Sequence, residues 1–534
     1  MKNILLLAVS AALFVFLVAS SSARPVLPES AGMKGKRTVG TDTLGYLKQH
    51  GPHSQLECVK TLSLTNPITD QILDCDDPAP NNEPDIEAAA SGIVASSNDY
   101  GTCCDEFYTS TDSGTTWVNG NMSNQKTPKI GSDPVTAWDT KHRVWLHTSL
   151  SYQVQHAAGT QACDGDVVVS ASSDGKTWEL PSLIADGVGC DLQKSQLFHD
   201  KEWIVVDNNP SSRYYGRAYV TWSGFLSAYG AYLESPILFS YSDDGGRTWS
   251  PSKEISGSSA SLCAHQEAGP AAECDENQFS VPVVLPDGSV VVAFENDQNT
   301  SIQEPGDAFD NQYLVVRSVD GGGTWLPPAQ AAKLEDGVRD YPINVSGRQT
   351  LTGYQVRVNS AGNLAVSSTG KLAIVFSDNR AGSATATNAN VYAVWSTDNG
   401  ATWSSVPQEV GSGSGDEWFP WAEFKPGTDT LGVIFHRRAA LGAALYDTVF
   451  ATGTIDGAFT SETVSAAPSD PTNSVFFQAG VAGCLKCATF HGDYNGLSYG
   501  PDGKAHMVWT DMSVDNAVEA FGQGKAQFIG YAQR

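Results

Sequence analysis

One pattern, S-x-D-x-G-x-T-W, recurs along this chain and limits what it can fold into. It first runs from Ser110 to Trp117 and returns as Ser242–Trp249, Ser318–Trp325 and Ser396–Trp403. A version one residue shorter runs from Ser172 to Trp178. A faded copy, Thr454-Ile455-Asp456-Gly457-Ala458-Phe459, has lost its Trp. The Asp of each copy can accept hydrogen bonds from backbone N–H groups just ahead, and the Gly can take positive φ. The Trp then buries a large surface where the chain leaves the turn. Apolar runs such as Val167-Val168-Val169, Ile237-Leu238-Phe239 and Tyr313-Leu314-Val315-Val316 precede the copies, so each copy reads as a turn between strands. An Asp engaged in its own turn is not free for chemistry.

A second repeat lies upstream of each turn. Its clearest copy is Phe279–Leu285, the turn Pro286-Asp287-Gly288, then Ser289–Phe294. Partner runs are Arg217–Trp222, Lys371–Phe376 and Lys504–Trp509, with weaker ones at Ile93–Ala95, His142–Leu146 and Leu431–Phe435. Near-continuous apolar runs of this kind suit strands packed on both faces.

The S-x-D-x-G-x-T-W segments are similar to the Asp-boxes of sialidases and related BNR-repeat β-propellers. The resemblance implies an all-β fold, a β-propeller of four-stranded blades with the Asp-box turns on the outer rim. Seven hairpins favour seven blades; six, the number in enzymatic sialidases, is the alternative. After the seventh hairpin only one further strand remains, near Gln527–Tyr531. The alternating stretch 56–64 is expected to supply its missing partner and close the ring, which removes an open edge. Asp-boxes also occur in propellers without activity, so they speak to fold and not to function.

The chain has 534 residues, and the repeats assign 56–534 to one propeller domain. Met1-Lys2, the apolar run Ile4–Val18 and the small residues up to Ala23 read as a secretory signal peptide, residues 1–23. Residues 24–55 read as a flexible leader. The expected product is secreted and extracellular, with no membrane insertion, because no other stretch is long and apolar enough to span a bilayer. Ten cysteines in such a chain point to disulfides. Cys58 with Cys75, Cys163 with Cys190 and Cys263 with Cys274 are local candidates, though spacing leaves the connectivity open. Cys103-Cys104 and the C-x-x-C of Cys484 and Cys487 complete the set. A formal net charge of −27 argues against a nucleic-acid partner.

In a propeller, the loops entering the innermost strands and leaving the second strands meet on one face. Past the second strands come Asn98-Asp99-Tyr100, Glu295-Asn296-Asp297, Asp378-Asn379-Arg380, His436-Arg437-Arg438 and Asp511. Before or at the first strands come Glu83, Asp85, Asp133, Arg357, Glu417-Trp418 and His491-Gly492-Asp493-Tyr494. Repeat-related positions with different polar side chains are what a binding site on a repeat scaffold shows. Most glycosidases use two carboxyl groups, and Asp99, Glu295, Asp297, Asp378, Glu417 and Asp493 supply candidates. The sialidase resemblance implies a Tyr nucleophile, with Tyr494 in that role, and three Arg clamping a carboxylate, with Arg357, Arg380 and Arg437 as the set. Trp418, His436 and His491 are further candidate substrate contacts. The F/Y-R-I-P motif of that family is absent: no Arg lies between Arg37 and Arg143.

No cofactor motif is present. A structural calcium ion is the one metal the Asp-rich loops would suit. The sequence therefore favours an exported glycoside hydrolase acting on extracellular glycans, sialidase-like or divergent. The alternative is a non-catalytic propeller that binds carbohydrate or protein on the same face.

Overall fold

The computed structural model describes residues 60–62, 68–74, 80–100, 105–122, 130–155, 161–264, 272–298, 310–337, 339–345, 348–411, 413–474, 490–516 and 524–534. The signal peptide, the leader and Cys58, Cys75, Cys103, Cys104, Cys484 and Cys487 lie outside those residues.

Seven antiparallel sheets follow one another around a ring, making a seven-bladed β-propeller. Blade 1 runs through Asn81–Ala89, Gly92–Asp99, Asp105–Ser110 and Val118–Asn121. The first strands of blades 2 to 7 are Ile130–Asp139, Ser195–Val206, Asn277–Val284, Asn363–Val366, Glu417–Phe424 and Gly496–Tyr499. Each first strand touches the first strand of the next blade, and the seventh touches that of blade 1. These strands therefore line the axis. Their neighbours are held by side-chain staples as well as apolar packing. Thr136 N donates to Asp85 Oδ2 at 2.7 Å, Ala422 N to Asn363 Oδ1 at 2.8 Å, and Tyr499 N to Glu423 Oε2 at 2.6 Å.

The ring closes differently from expectation. The strand that pairs with Phe528–Gln533 is Asp70–Ile72; Lys60–Leu62, inside the anticipated stretch, pairs outside it as a fifth strand. The reason lies in what 70–74 can bury and bond. Ile72 and Leu73 are fully buried. Leu73 N donates to Ile529 O, Ile529 N to Asp74 Oδ1 at 2.8 Å, and Ala466 N to Asp70 Oδ2 at 2.7 Å. Two short apolar residues flanked by acids look like a turn in sequence, but the acids here dock on backbone donors.

The repeated turns behave as their chemistry demands. In the first, Asp112 Oδ1 accepts from Thr116 N at 2.8 Å and Oδ2 from Thr116 Oγ1 at 2.7 Å, with Trp117 buried behind. The others repeat this between the third and outermost strands of blades 2 to 5. Cys163–Cys190 and Cys263–Cys274 are bonded as anticipated.

The turn in blade 5 gives a pH-dependent test. Burial works against the Asp398 charge, but donors from Thr402, Ser396 and Ala401 outweigh it and hold the carboxyl at about 2. A folded pKa below the unfolded one means stability that is present above about pH 4 and lost as pH falls through 2. Asp398→Ala should therefore lower the unfolding free energy by roughly 1–2 kcal/mol at pH 7. In urea titrations the gap from wild type should shrink as the pH approaches 2; a gap independent of pH would contradict the assignment.

Candidate functional site

The inner strands share a local distortion. Register breaks between Asn82 and Asp85, Ser132 and Val135, Asp200 and Trp203, Gln278 and Val281, and Trp418 and Trp421. Inside each break sits a non-glycine residue with positive φ: Glu83 at 54°, Asp133 at 57°, Lys201 at 55°, Phe279 at 53° and Phe419 at 52°. Such residues are uncommon and cost backbone energy. A bulge of this kind re-aims a side chain. Ahead of the seventh inner strand, Gly492 takes φ 87°. A Cβ there would stand 2.8 Å from Glu83 Cγ and 2.9 Å from Glu83 N, so blades 7 and 1 meet too closely for any other residue.

Two residues past three of these points, aromatic rings converge. Trp203 and Trp421 have centroids 4.4 Å apart, and Tyr494 lies 5.9 Å from Trp203 and 6.0 Å from Trp421. Lys201 lays its ammonium 3.4 Å from the Tyr494 ring centroid and 4.9 Å from that of Trp203. Both polar ends are buried, and neither Lys201 Nζ nor the Tyr494 hydroxyl has a hydrogen-bond partner among the described residues. Burial pushes the Tyr494 phenol up, and Asp133, Glu83, Glu202 and Asp85 add to the push, so the hydroxyl keeps its proton. Asn98 braces two of these acids: its Nδ2 donates to Glu83 Oε2 at 2.5 Å and its Oδ1 accepts from Asp133 N at 2.8 Å. Burial raises Asp85 to about 7 against the Thr136 N–H bond and the Lys201 charge.

Beside this centre, Arg357 grips Asp493 through both Nε and Nη2, with both side chains buried. Its guanidinium also lies 4.4 Å over the Phe490 ring. Glu295, from the second strand of blade 4, interacts electrostatically with Asp493. Burial drives its carboxyl well up, helped by Asp336, Asp297 and Asp493, while the hydrogen bond with Tyr313 opposes. Burial thus favours the protonated form of Glu295.

The other anticipated residues are placed elsewhere. Trp418 Nε1 donates to His491 Nε2 at 3.2 Å, and both rings pack with Phe419, His436 and Tyr446 in one buried aromatic block. Burial, aided by Arg357, takes His491 down to about 3, and burial with His491 takes His436 well below its usual value. Both imidazoles are neutral near pH 7 and act as packing and hydrogen-bonding groups. Glu417 accepts from Val391 N and Gly413 N and ties blade 6 to blade 5. Asp99 accepts from Asn121 Nδ2 at 2.9 Å.

The three arginines do not converge. Arg380 holds Asp378 and reaches Lys333 O on the outermost strand of blade 4, while Arg437 reaches Ser461 Oγ on the outermost strand of its own blade. Only Arg357 lies against the Asp493–Tyr494 segment. Among the described residues, no group of three or more His, Cys, Asp or Glu side chains is arranged to hold a metal ion. The sequence analysis does not single out Lys201, Trp203 or Trp421: the inner strand of blade 3 carries no turn signal of its own, and Trp421 sits inside an apolar strand. A Pro following the bulge residue (Glu83-Pro84, Asp133-Pro134, Phe419-Pro420) is a usable signal for blades 1, 2 and 6.

No family model matches the sequence, and no curated protein matches it. Solved structures do resemble the fold. A leech intramolecular trans-sialidase is 9% identical over 83% of this chain and 82% of its own, with a TM-score of 0.43. An ulvan lyase of family PL25 is 10% identical over 85% and 96%, with a TM-score of 0.48. A protein of unknown function from Dyadobacter fermentans is 12% identical over 77% and 95%, with a TM-score of 0.43. At such identity and superposition, the site has to be read from its own residues.

The buried ion pair makes a sharp prediction. Arg357→Met leaves Asp493 buried without its counter-charge and should cost roughly 3–5 kcal/mol in denaturant unfolding. Adding Asp493→Leu should recover much of that loss. A single variant as stable as wild type would show that the pair does not hold the centre.

Proposed function

We propose that this chain is an exported, carbohydrate-active propeller that hydrolyses glycosidic bonds at the channel mouth. One observation carries the reading: buried donors on Lys201 and Tyr494 have no acceptor among the described residues, while carboxyl groups from blades 1, 2 and 3 act electrostatically on the Tyr494 hydroxyl. Buried polar groups without partners are costly, and a polyhydroxylated ligand supplies what they lack. The oxidised pairs Cys163–Cys190 and Cys263–Cys274 support an extracellular setting.

The chemistry needs a proton donor and a group that works as base or nucleophile. Glu295, whose carboxyl burial pushes up toward the protonated form, suits the donor. Asp493, oriented by Arg357, and Tyr494 are the groups for the second role. Tyr494 with its proton retained needs a neighbouring carboxylate to activate it, and Glu83 and Asp133 are in place electrostatically. An exo-sialidase form of the reaction finds less support, because among the described residues Arg357 is the one arginine beside Asp493 and Tyr494, and Asp493 already holds it.

The test is turnover of a panel of fluorogenic glycosides and glycan polymers, a sialoside included. Wild type should hydrolyse at least one. Tyr494→Phe and Glu295→Gln should each lower kcat by about 10²-fold or more with the fold intact. Because burial raises the Glu295 carboxyl, the alkaline limb of activity should lie above the ordinary carboxylate range, and Glu295→Gln should abolish that limb. Binding without turnover by folded wild type would identify a recognition propeller instead.

A further inference from the structure

We infer that Tyr313 is a positioning residue for Glu295: it tethers one oxygen of the carboxyl and leaves the other free to hand over a proton. The inference rests on the glycosidase reading above, in which Glu295 is the proton donor, and adds the residue that holds it.

Glu295 and Tyr313 stand directly opposite each other on the second and third strands of blade 4. Residues paired in this way place their side chains on one face of the sheet, within reach of each other. The two side chains are hydrogen-bonded, and both are buried. Which of them donates is decided from blade 5. Gly362 N, just ahead of that blade's first strand, donates to the Tyr313 hydroxyl oxygen at 3.0 Å. A backbone N–H can only donate, so the phenol oxygen is the acceptor there and its own hydrogen is left for Glu295. A Cβ at Gly362 would run into Val375 O, so glycine is what lets this N–H be offered. Burial pushes the Tyr313 phenol well up, and Glu295 and Asp336 add to the push, so the hydrogen stays on the oxygen.

The hold on Glu295 is one-sided. Its Oε1 has no hydrogen-bond partner among the described residues. A carboxyl fixed by one oxygen keeps its plane and still has an oxygen from which a proton can leave. The charged groups that act on it besides Tyr313 are Asp336, Asp297 and Asp493, all acids, and Arg357 is taken up by Asp493. Burial and these acids favour the protonated carboxyl, whereas the Tyr313 hydroxyl donates to the charged form and opposes them. Tyr313 thus balances the acid: without its hydroxyl, Glu295 would hold the proton more tightly and release it less readily. The ring of Tyr313 is separately supported, with its centroid 5.9 Å from that of Phe376.

The experiment follows the Glu295 carboxyl in the mature protein by infrared difference spectroscopy, its band being the one that Glu295→Gln removes. Tyr313→Phe keeps the ring against Phe376 and deletes the donor. In that variant the protonated C=O band should move to higher wavenumber, and the titration midpoint should rise by about one pH unit or more. A ring-fluorinated tyrosine at position 313 is the second variant, should Tyr313→Phe fail to fold. Its more acidic hydroxyl donates more strongly and should move the midpoint down. On any glycoside that wild type hydrolyses, Tyr313→Phe should lower kcat more than it changes KM and carry the alkaline limb upward with the midpoint. A band and midpoint unchanged in the folded variants overturn the inference and leave the glycosidase reading standing. Absence of turnover by folded wild type removes that reading, while a shifted band still upholds the tether.

Discussion

Closure of the ring is the constraint on which the rest of this structure depends. A blade whose outer strands are missing exposes an unpaired edge and leaves one gap in the circle of inner strands. Blade 7 takes its first three strands from the C-terminal end of the chain and its fourth from Asp70–Ile72. The joint is made of backbone pairing plus carboxylates at Asp70 and Asp74 that accept backbone N–H groups across it. Burial raises Asp70 to about 7, with Asp511 adding to the push. The joint between the chain ends is thus partly polar, unlike the aliphatic packing between blades 4, 5 and 6.

Once the circle closes, the inner strands decide what stands at its centre. A straight strand would send alternate side chains along the axis in a fixed rhythm. The positive-φ bulges interrupt that rhythm at equivalent places, and the rings of Trp203, Trp421 and Tyr494 follow two residues later. The scaffold thereby concentrates strain, buried charge and aromatic surface in one small region, while the outer-rim turns bind up their own acids. The turn chemistry of the rim and the buried polar centre are separated along the radius of the blades.

That separation explains what could be read from the sequence. The outer turns were legible because a tight turn demands Asp, Gly and Thr at fixed offsets, and the bladed fold followed from their repetition. Disulfides at Cys163–Cys190 and Cys263–Cys274 were legible from short spacing. The closing strand was not, because Asp70–Ile72 gains its strand character from partners more than four hundred residues away. The centre was legible in part. Tyr494, Asp493, Arg357 and Glu295 do gather, but Arg380 and Arg437, adjacent to strand ends in the same way, point to outer strands. Lys201 escaped notice because only the bulge of its strand turns it toward Tyr494, and a bulge without Pro leaves no mark in one sequence.

The direct measurement is a crystal structure of the mature protein with a bound oligosaccharide. The account predicts a sugar seated over the inner strands, with a hydroxyl within hydrogen-bond distance of Lys201 Nζ or the Tyr494 hydroxyl. A sugar seated on the outer rim or on a blade edge, with Lys201 and Tyr494 touching protein alone, would contradict it.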